Sequence, residues 1–201
     1  MPLQAPDPPD EAVDALRGAL GALGDRGQFG VRALRRARPE QITVAAPHQV
    51  FTLGLDDLRE RLSLRDAKPS AWRFFIEVDR EVVASAETTT ISAREHEFSH
   101  VNEGPFVAGT VAALEIAERW ADERNEDFDF RLVHIPAIYS VNVWAHRRGA
   151  DTHDEDLLVP AAPAPPGVEA NRPYAPDELL DILAGLARDV PELGPDDARG
   201  G

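Results

Sequence analysis

The sequence predicts a single-domain α+β fold, with a mostly antiparallel β-sheet packed against one long central amphipathic helix and with N- and C-terminal helices. Three observations predict it. Residues 106–126 carry apolar side chains on one side of a helix and charged ones on the other. Residues 72–87 read as a hairpin, and 128–146 hold two segments with strand-like alternation. At 201 residues, 43% of them hydrophobic, the chain can bury a core.

Composition divides the chain into a folded body with extensions. The first residues are rich in Pro and Asp, and six prolines lie from Pro160 to Pro176. Such composition is typical of tails and connectors. We therefore expect a disordered tail over 1–9, an α+β domain over 10–158, a Pro-rich linker over 159–176, a docking helix over 177–189 and a disordered tail over 190–201.

The N-terminal part predicts a helix, a basic cluster and two strands. Asp10 suits a helix N-cap. Four apolar residues then recur at helical spacing: Val13, Leu16, Leu20 and Leu23. The one basic cluster follows and comprises Arg32, Arg35, Arg36 and Arg38. It is typical of a solvated helix face or a counter-charge for the acidic surface. Residues 42–44 and 49–53 favour strands, and 56–62 can form a short helix.

The central part predicts a hairpin and the main helix. Segments 72–78 and 82–87 flank a polar turn, which is typical of a β-hairpin. A strand over 95–101 would extend the same sheet. Gly104-Pro105 then suits the start of the long helix. Its expected core-facing residues are Val107, Val111, Leu114, Ile116, Ala117, Trp120 and Ala121.

The C-terminal part predicts two strands and a final helix. Strands over 128–135 and 138–146 are separated around Pro136. The last helix begins near Pro176 and has acidic residues in its first turn. Its apolar side comprises Leu179, Leu180, Ile182, Leu183 and Leu186. Because these side chains would form a large patch if exposed, we expect the helix to fold back onto the domain.

Composition also excludes several functions. The chain has no cysteine, so any metal site must use His, Asp and Glu. Its formal net charge is −15, which repels phosphate backbones and anionic lipid. We therefore expect neither nucleic acid nor a membrane as a partner. The N-terminus lacks the basic and apolar regions of a signal peptide, which favours a cytoplasmic location.

One short motif indicates a reaction. Residues 96–100 read His-Glu-Phe-Ser-His, the H-E-x-x-H pattern of zinc peptidases. On a helix, His96 and His100 lie one turn apart and can share a zinc ion, with Glu97 as general base. Over these five residues the chain resembles the zincin peptidases. That resemblance implies a third zinc ligand from a following helix, and Glu118 is the candidate.

The same motif can also be read as a strand. The residues before it are β-prone, and a strand would separate His96 and His100 by about 13 Å on one face. The two histidines could not then share an ion. Two positions also depart from the zincin pattern, because Arg94 and Asn102 stand where that family has an uncharged and an apolar residue. We expect that 93–103 is not a full helix.

The other histidines give weaker signals. His134 alternates in phase with Leu132 and Phe130, which is typical of a hydrogen-bonded core histidine. His48 stands alone. A polar loop contains His146, Asp151, His153, Asp154 and Asp156. This loop is either a divalent-cation site or an exposed acidic loop.

Two classes of function remain. The leading one is a non-enzymatic, acidic cytoplasmic accessory protein that binds another protein and needs no cofactor. The alternative is a zinc-dependent metallopeptidase, with His96, His100 and Glu118 as zinc ligands and Glu97 as the base. The conformation of 93–103 separates them, because only a helix can assemble the zinc site.

Overall fold

The computed structural model describes residues 3–60, 63–92, 95–124 and 126–191. Within these ranges the chain forms five α-helices and one eight-stranded sheet. The helices are α1 (Asp10–Asp25), α2 (Arg32–Arg36), α3 (Leu55–Arg59), α4 (Pro105–Arg124) and α5 (Pro176–Asp189). The strands are β1 (Leu3–Gln4), β2 (Ile42–Thr52), β3 (Lys68–Val78), β4 (Glu81–Ser92), β5 (Glu95–Asn102), β6 (Phe128–Ile135), β7 (Ser140–Arg147) and β8 (Leu157–Pro160).

The sheet is mixed, with strand order β5-β4-β3-β2-β6-β7-β8. Neighbouring strands are antiparallel except that β2 runs parallel to β6, and β1 is also parallel to β6. The α+β class is therefore correct, and the mixed sheet refines it. The predicted hairpin is confirmed: β3 and β4 join through Asp79 and Arg80, both with positive φ, as a two-residue hairpin turn requires.

Helices cover both faces of the sheet. α4 packs on one face against a cluster that extends from Phe75 on β3 to Val159 on β8. On the other face, α1 packs against β4 and β5 around Trp72 and Phe74. α3 and α5 cover the β6–β8 end of that face, around Trp144.

The buried side of α4 differs from the predicted one. Its most buried line consists of small residues, Ala113, Ala117 and Ala121, whereas Leu114 is only half-buried. The reason is close packing. A Cβ added at Gly109 would meet the backbone of Ala162, with the nitrogen at 2.7 Å and the carbonyl carbon at 2.8 Å. The large side chains of α4 therefore lie on either side of its closest contact with the sheet rather than within that contact.

Two predicted extensions each contribute a few residues to the sheet. Leu3 is buried and pairs with Phe128, so residues 3–4 form a strand instead of the expected disordered tail. The expected linker over 159–176 begins inside β8, and Tyr174 bridges back to Leu158. Burial of apolar side chains drives both departures.

The C-terminal helix has its apolar side against the domain. Leu179, Leu183 and Ala187 of α5 are fully buried in the cluster around Trp144. Most of the tail expected over 190–201 lies outside the described residues. No helix in the described ranges is long and apolar enough to cross a membrane.

Candidate functional site

The H-E-x-x-H residues lie on β5, a strand at the edge of the sheet. His100 pairs with Glu87 of β4, and His96 pairs with Thr90, whose hydroxyl lies 3.5 Å from His96 Nδ1. A register shift occurs between these two pairs, where Glu87 and Thr88 face His100 and Phe98. The prediction that this segment is not a full helix is confirmed for Glu95–Asn102.

The register shift also corrects the expected strand geometry. An even alternation would put both histidines on one face. Instead, His96 is in phase with Phe98, which packs on the α1 side, while His100 lines a pocket on the α4 side. The five-residue motif therefore does not form the helical zinc site that it requires. Arg94 lies outside the described residues.

The proposed third ligand, Glu118, is a half-buried residue of α4. Burial raises its pKa, and the neighbouring carboxylates of Asp122 and Glu115 raise it further. Glu97 is exposed on β5. In the described chain, these residues do not form a group of His, Asp and Glu donors close enough to hold one ion.

A small pocket with both polar and apolar lining residues lies beside the N-terminus of α4. It has a volume of about 220 Å³, and His100, His134 and Tyr139 are among its lining residues. At its floor Arg73 donates from Nε and Nη2 to Glu87 Oε2, at 2.9 and 2.7 Å. Because the carboxylate of Glu87 neutralises Arg73, this arginine offers no unpaired positive charge to an anion in the pocket.

His134 and His48 are both held in their neutral forms. Burial lowers the pKa of His134, and the charge of Arg73 lowers it further. The expectation of a core histidine therefore applies only in part, since His134 is half-buried at a pocket wall. His48 is fully buried, and its ring stacks on Phe130 at 4.3 Å between centroids.

The polar loop after β7 brings together three of its five predicted residues. Asp156 Oδ2 accepts hydrogen bonds from His146 Nδ1 at 2.9 Å and from His153 Nδ1 at 2.8 Å. Trp144 Nε1 donates to the same oxygen at 2.8 Å. Asp151 and Asp154 remain exposed. We call His146, His153 and Asp156 the Asp156 cluster.

Burial alone would raise the pKa of Asp156, but its hydrogen bonds reverse that effect. The donors are His146, the backbone N–H of Arg147, Trp144 and His153, and together they lower its pKa below the ordinary value. Asp156 is therefore a buried carboxylate that stays ionised.

An apolar groove lies on the opposite half of the sheet, between the α1–α2 region and the first part of β2. We call it the α1–β2 groove. Its volume is about 820 Å³. Its larger apolar lining residues are Leu20, Phe29, Leu34, Ile42 and Val44. Its charged lining residues are Arg17, Arg35 and Asp25, so basic groups outnumber acidic ones, and neither guanidinium forms an ion pair with a described residue.

Over its first part, the strand that borders this groove has one edge that pairs with no described strand. Residues 42–45 of β2 pair with β3, but β6 pairs with β2 only over 49–52. An irregular step at Ala46, with φ 42°, separates the two parts of the strand. The hydrogen bond from Asp79 N to Gln41 O fixes the alternation along β2. The N–H and C=O groups of Ile42 and Val44 therefore point away from β3.

Local sequence patterns predict the components of this groove but not their combination. The basic cluster, the helix and the strand over 42–44 were each predicted. Pro47, between the two predicted strands, was the available signal that pairing is interrupted there. Their proximity depends on the long-range sheet order, which local patterns do not report.

Comparisons with known proteins give no assignment. No family model, curated protein or solved structure matches the chain. The function must therefore be argued from the site geometry alone.

Proposed function

We propose that this chain is a non-enzymatic protein-interaction module that binds an extended, acidic segment of a partner protein in the α1–β2 groove. The observation that carries the proposal is the unpaired edge of β2 at residues 42–45, facing an apolar groove. An extended segment can add there as a further strand, with backbone hydrogen bonds to Ile42 and Val44.

Side-chain chemistry defines the partner further. On one face, alternate apolar side chains of the added strand would contact Leu20, Phe29 and Leu34. Arg17 and Arg35 favour acidic side chains beside them. The charge is local, because the chain as a whole carries −15. An acidic partner segment would be repelled by most of the surface and attracted at this groove.

The outer edge of β5 is a weaker docking site. That strand carries Glu95, His96 and Glu97, and charged side chains are a usual protection of an edge strand against pairing. The interrupted edge of β2 has Ile42, Thr43 and Val44 instead, and Val44 is exposed. Strand addition is therefore favoured at β2.

Fluorescence anisotropy with labelled peptides tests the proposal. The probe is a short peptide that alternates Val or Leu with Asp, and its control carries Lys in place of Asp. We expect saturable binding of the acidic peptide alone, weakened by salt because the charges are exposed. The double variant Arg17→Glu/Arg35→Glu should lower affinity about tenfold, given about 1 kcal/mol or less for each exposed pair.

Arg119→Glu is the matched control, because Arg119 is an exposed arginine on the distant polar side of α4. Two further peptides, N-methylated on alternate sets of residues, distinguish strand addition from binding through hydrophobic contacts alone. Only one set of N–H groups faces β2, so only one methylated peptide should lose binding. Equal binding by both methylated peptides, or equal effects of the two charge changes, would contradict the proposal.

A further inference from the structure

The Asp156 cluster lies at the other end of the sheet from the α1–β2 groove and is independent of it. One donor atom from each of His146, His153 and Asp156 lies within 4.8 Å of the others. Two imidazoles and one carboxylate form the donor set that divalent transition metals use with coordination positions left open. The function proposed for the groove makes no use of this cluster.

The distances from both imidazoles to the carboxylate are suited to metal binding. Both Nδ1 atoms lie 2.8–2.9 Å from Asp156 Oδ2. Two metal–ligand bonds of about 2.1 Å at a right angle place their donors about 3.0 Å apart, and a tetrahedral angle places them about 3.4 Å apart. Both histidine–aspartate separations are therefore close to those of two ligands on one ion, and all three donor atoms lie within 4.8 Å of one another. An imidazole that binds the ion through Nδ1 would carry its proton on Nε2.

Outer contacts hold the carboxylate in place. Trp144 Nε1 donates to Asp156 Oδ2, and the backbone N–H of Arg147 donates to Oδ1 at 2.9 Å. The indole ring of Trp144 also packs on both imidazoles, with centroids 5.3 and 5.5 Å apart. Such second contacts orient metal ligands and commonly accompany them.

Charge and access also favour a cation. His153 is the most exposed of the three ligand side chains and lines a cavity of about 480 Å³ with Asp154 and Asp177. Arg65 lines the same cavity, so acidic groups outnumber basic ones there. A cation can thus approach from the His153 side through a locally negative field.

We propose that His146, His153 and Asp156 bind one divalent transition-metal ion, with Zn²⁺ as the probe. Two nitrogen donors disfavour Ca²⁺ and Mg²⁺, which prefer oxygen ligands. This site uses the predicted polar loop and none of the H-E-x-x-H residues.

Isothermal titration of the chelator-treated full-length protein with Zn²⁺ tests the site. We expect one ion per chain and a rise in melting temperature, because an ion that binds the folded state stabilises it. His153→Gln should weaken binding by more than the ~10–100-fold that loss of an outer partner costs. His96→Gln is the control and should leave the affinity unchanged.

A second measurement does not depend on any variant. In ¹⁵N spectra of the wild-type histidine rings, Zn²⁺ should shift the Nδ1 signals of His146 and His153 and leave those of His48 in place. Absence of saturable Zn²⁺ binding would show that the cluster is a hydrogen-bonded anchor of the loop only. Binding that survives His153→Gln, or that shifts other histidines, would equally overturn the assignment.

Discussion

At the residue scale, His48 shows how the fold determines a protonation state. The pKa of His48 is lowered to about 3, mainly by burial. The hydrogen bond from Nδ1 to Ala46 O opposes this decrease, whereas the positive charge of Arg73 increases it. Its Nε2 has no hydrogen-bond partner among the described residues. The sequence offered one signal, since alternation along β2 puts His48 in phase with the buried Val50.

The first prediction concerns acid stability. The pKa of His48 is lowered from 6.5 to about 3, so between these pH values the unfolded chain binds a proton that the folded chain does not. The free energy of unfolding should therefore fall as the pH falls through this window. At pH 5 the loss relative to pH 7 is about 2 kcal/mol. Urea denaturation at both pH values measures it.

His48→Gln removes the titrating group and should make the loss between pH 7 and pH 5 smaller by that amount. His96→Gln serves as the control, because it leaves His48 in place and should keep the full loss. If His48→Gln shows the same acid loss as the wild type, His48 is not the source.

At the element scale, the sequence predicts what local patterns encode. The hairpin turn at Asp79 and Arg80 and the period of α4 depend on residues close in the chain. The helix α1 is also predicted, but it begins one residue earlier than expected, with Pro9 rather than Asp10 as its N-cap. The β-bulge in β5 does not depend only on residues close in the chain, because a one-residue register shift against β4 is not visible in the sequence of either strand. That shift places His96 and His100 on opposite faces of the sheet, whereas the strand conformation itself excludes the helical zinc site.

The second prediction tests the close approach of α4. Gly109→Ala adds a Cβ whose nearest neighbours are rigid backbone atoms of Ala162, so the helix or the loop must shift. We expect a loss of about 1–3 kcal/mol in the free energy of unfolding, measured by urea denaturation. Gly18→Ala in α1 has open space around its Cβ and should instead stabilise by about 0.5–1 kcal/mol. Similar effects at both glycines would mean that α4 does not pack this closely.

The third prediction concerns α5. Leu183 is a fully buried residue of this helix. Leu183→Ala should therefore lower the free energy of unfolding by about 2–5 kcal/mol, through lost burial and a residual cavity. Arg188→Ala, at an exposed position of the same helix, should change stability by about 0.5 kcal/mol or less. Thermal or urea unfolding measures both. Comparable losses would indicate that α5 does not dock through this side.

At the scale of the whole molecule, the fold class follows from the sequence but the sheet order does not. Parallel pairing of β2 with β6 joins segments about eighty residues apart, and α4 lies between them in the chain. Both candidate sites depend on this order. Residues 42–45 of β2 have an edge without a described partner strand because β6 pairs only with residues 49–52, and the Asp156 cluster forms because β8 returns beside β7.

The same order predicts that the molecule unfolds as one unit. The parallel pairing of β2 with β6 is short, at four residue pairs. However, α4 packs over it, and the apolar cluster beneath α4 extends from β3 to β8. The three tryptophans report on separate regions: Trp72 on the α1 side of the sheet, Trp120 on α4 itself and Trp144 under α5. Three variants that each keep one tryptophan and replace the others by Phe therefore sample the whole structure.

In each variant, the urea midpoint from tryptophan fluorescence should coincide with the midpoint from far-UV circular dichroism, as in a two-state transition. The comparison is made within one variant, so any destabilisation by the Phe substitutions cancels. If the Trp72 signal changes at a different midpoint from the circular dichroism while the Trp144 signal does not, the α1 half unfolds separately. Partner binding in the α1–β2 groove would then stabilise that half alone, and adding the acidic peptide should bring the two midpoints together.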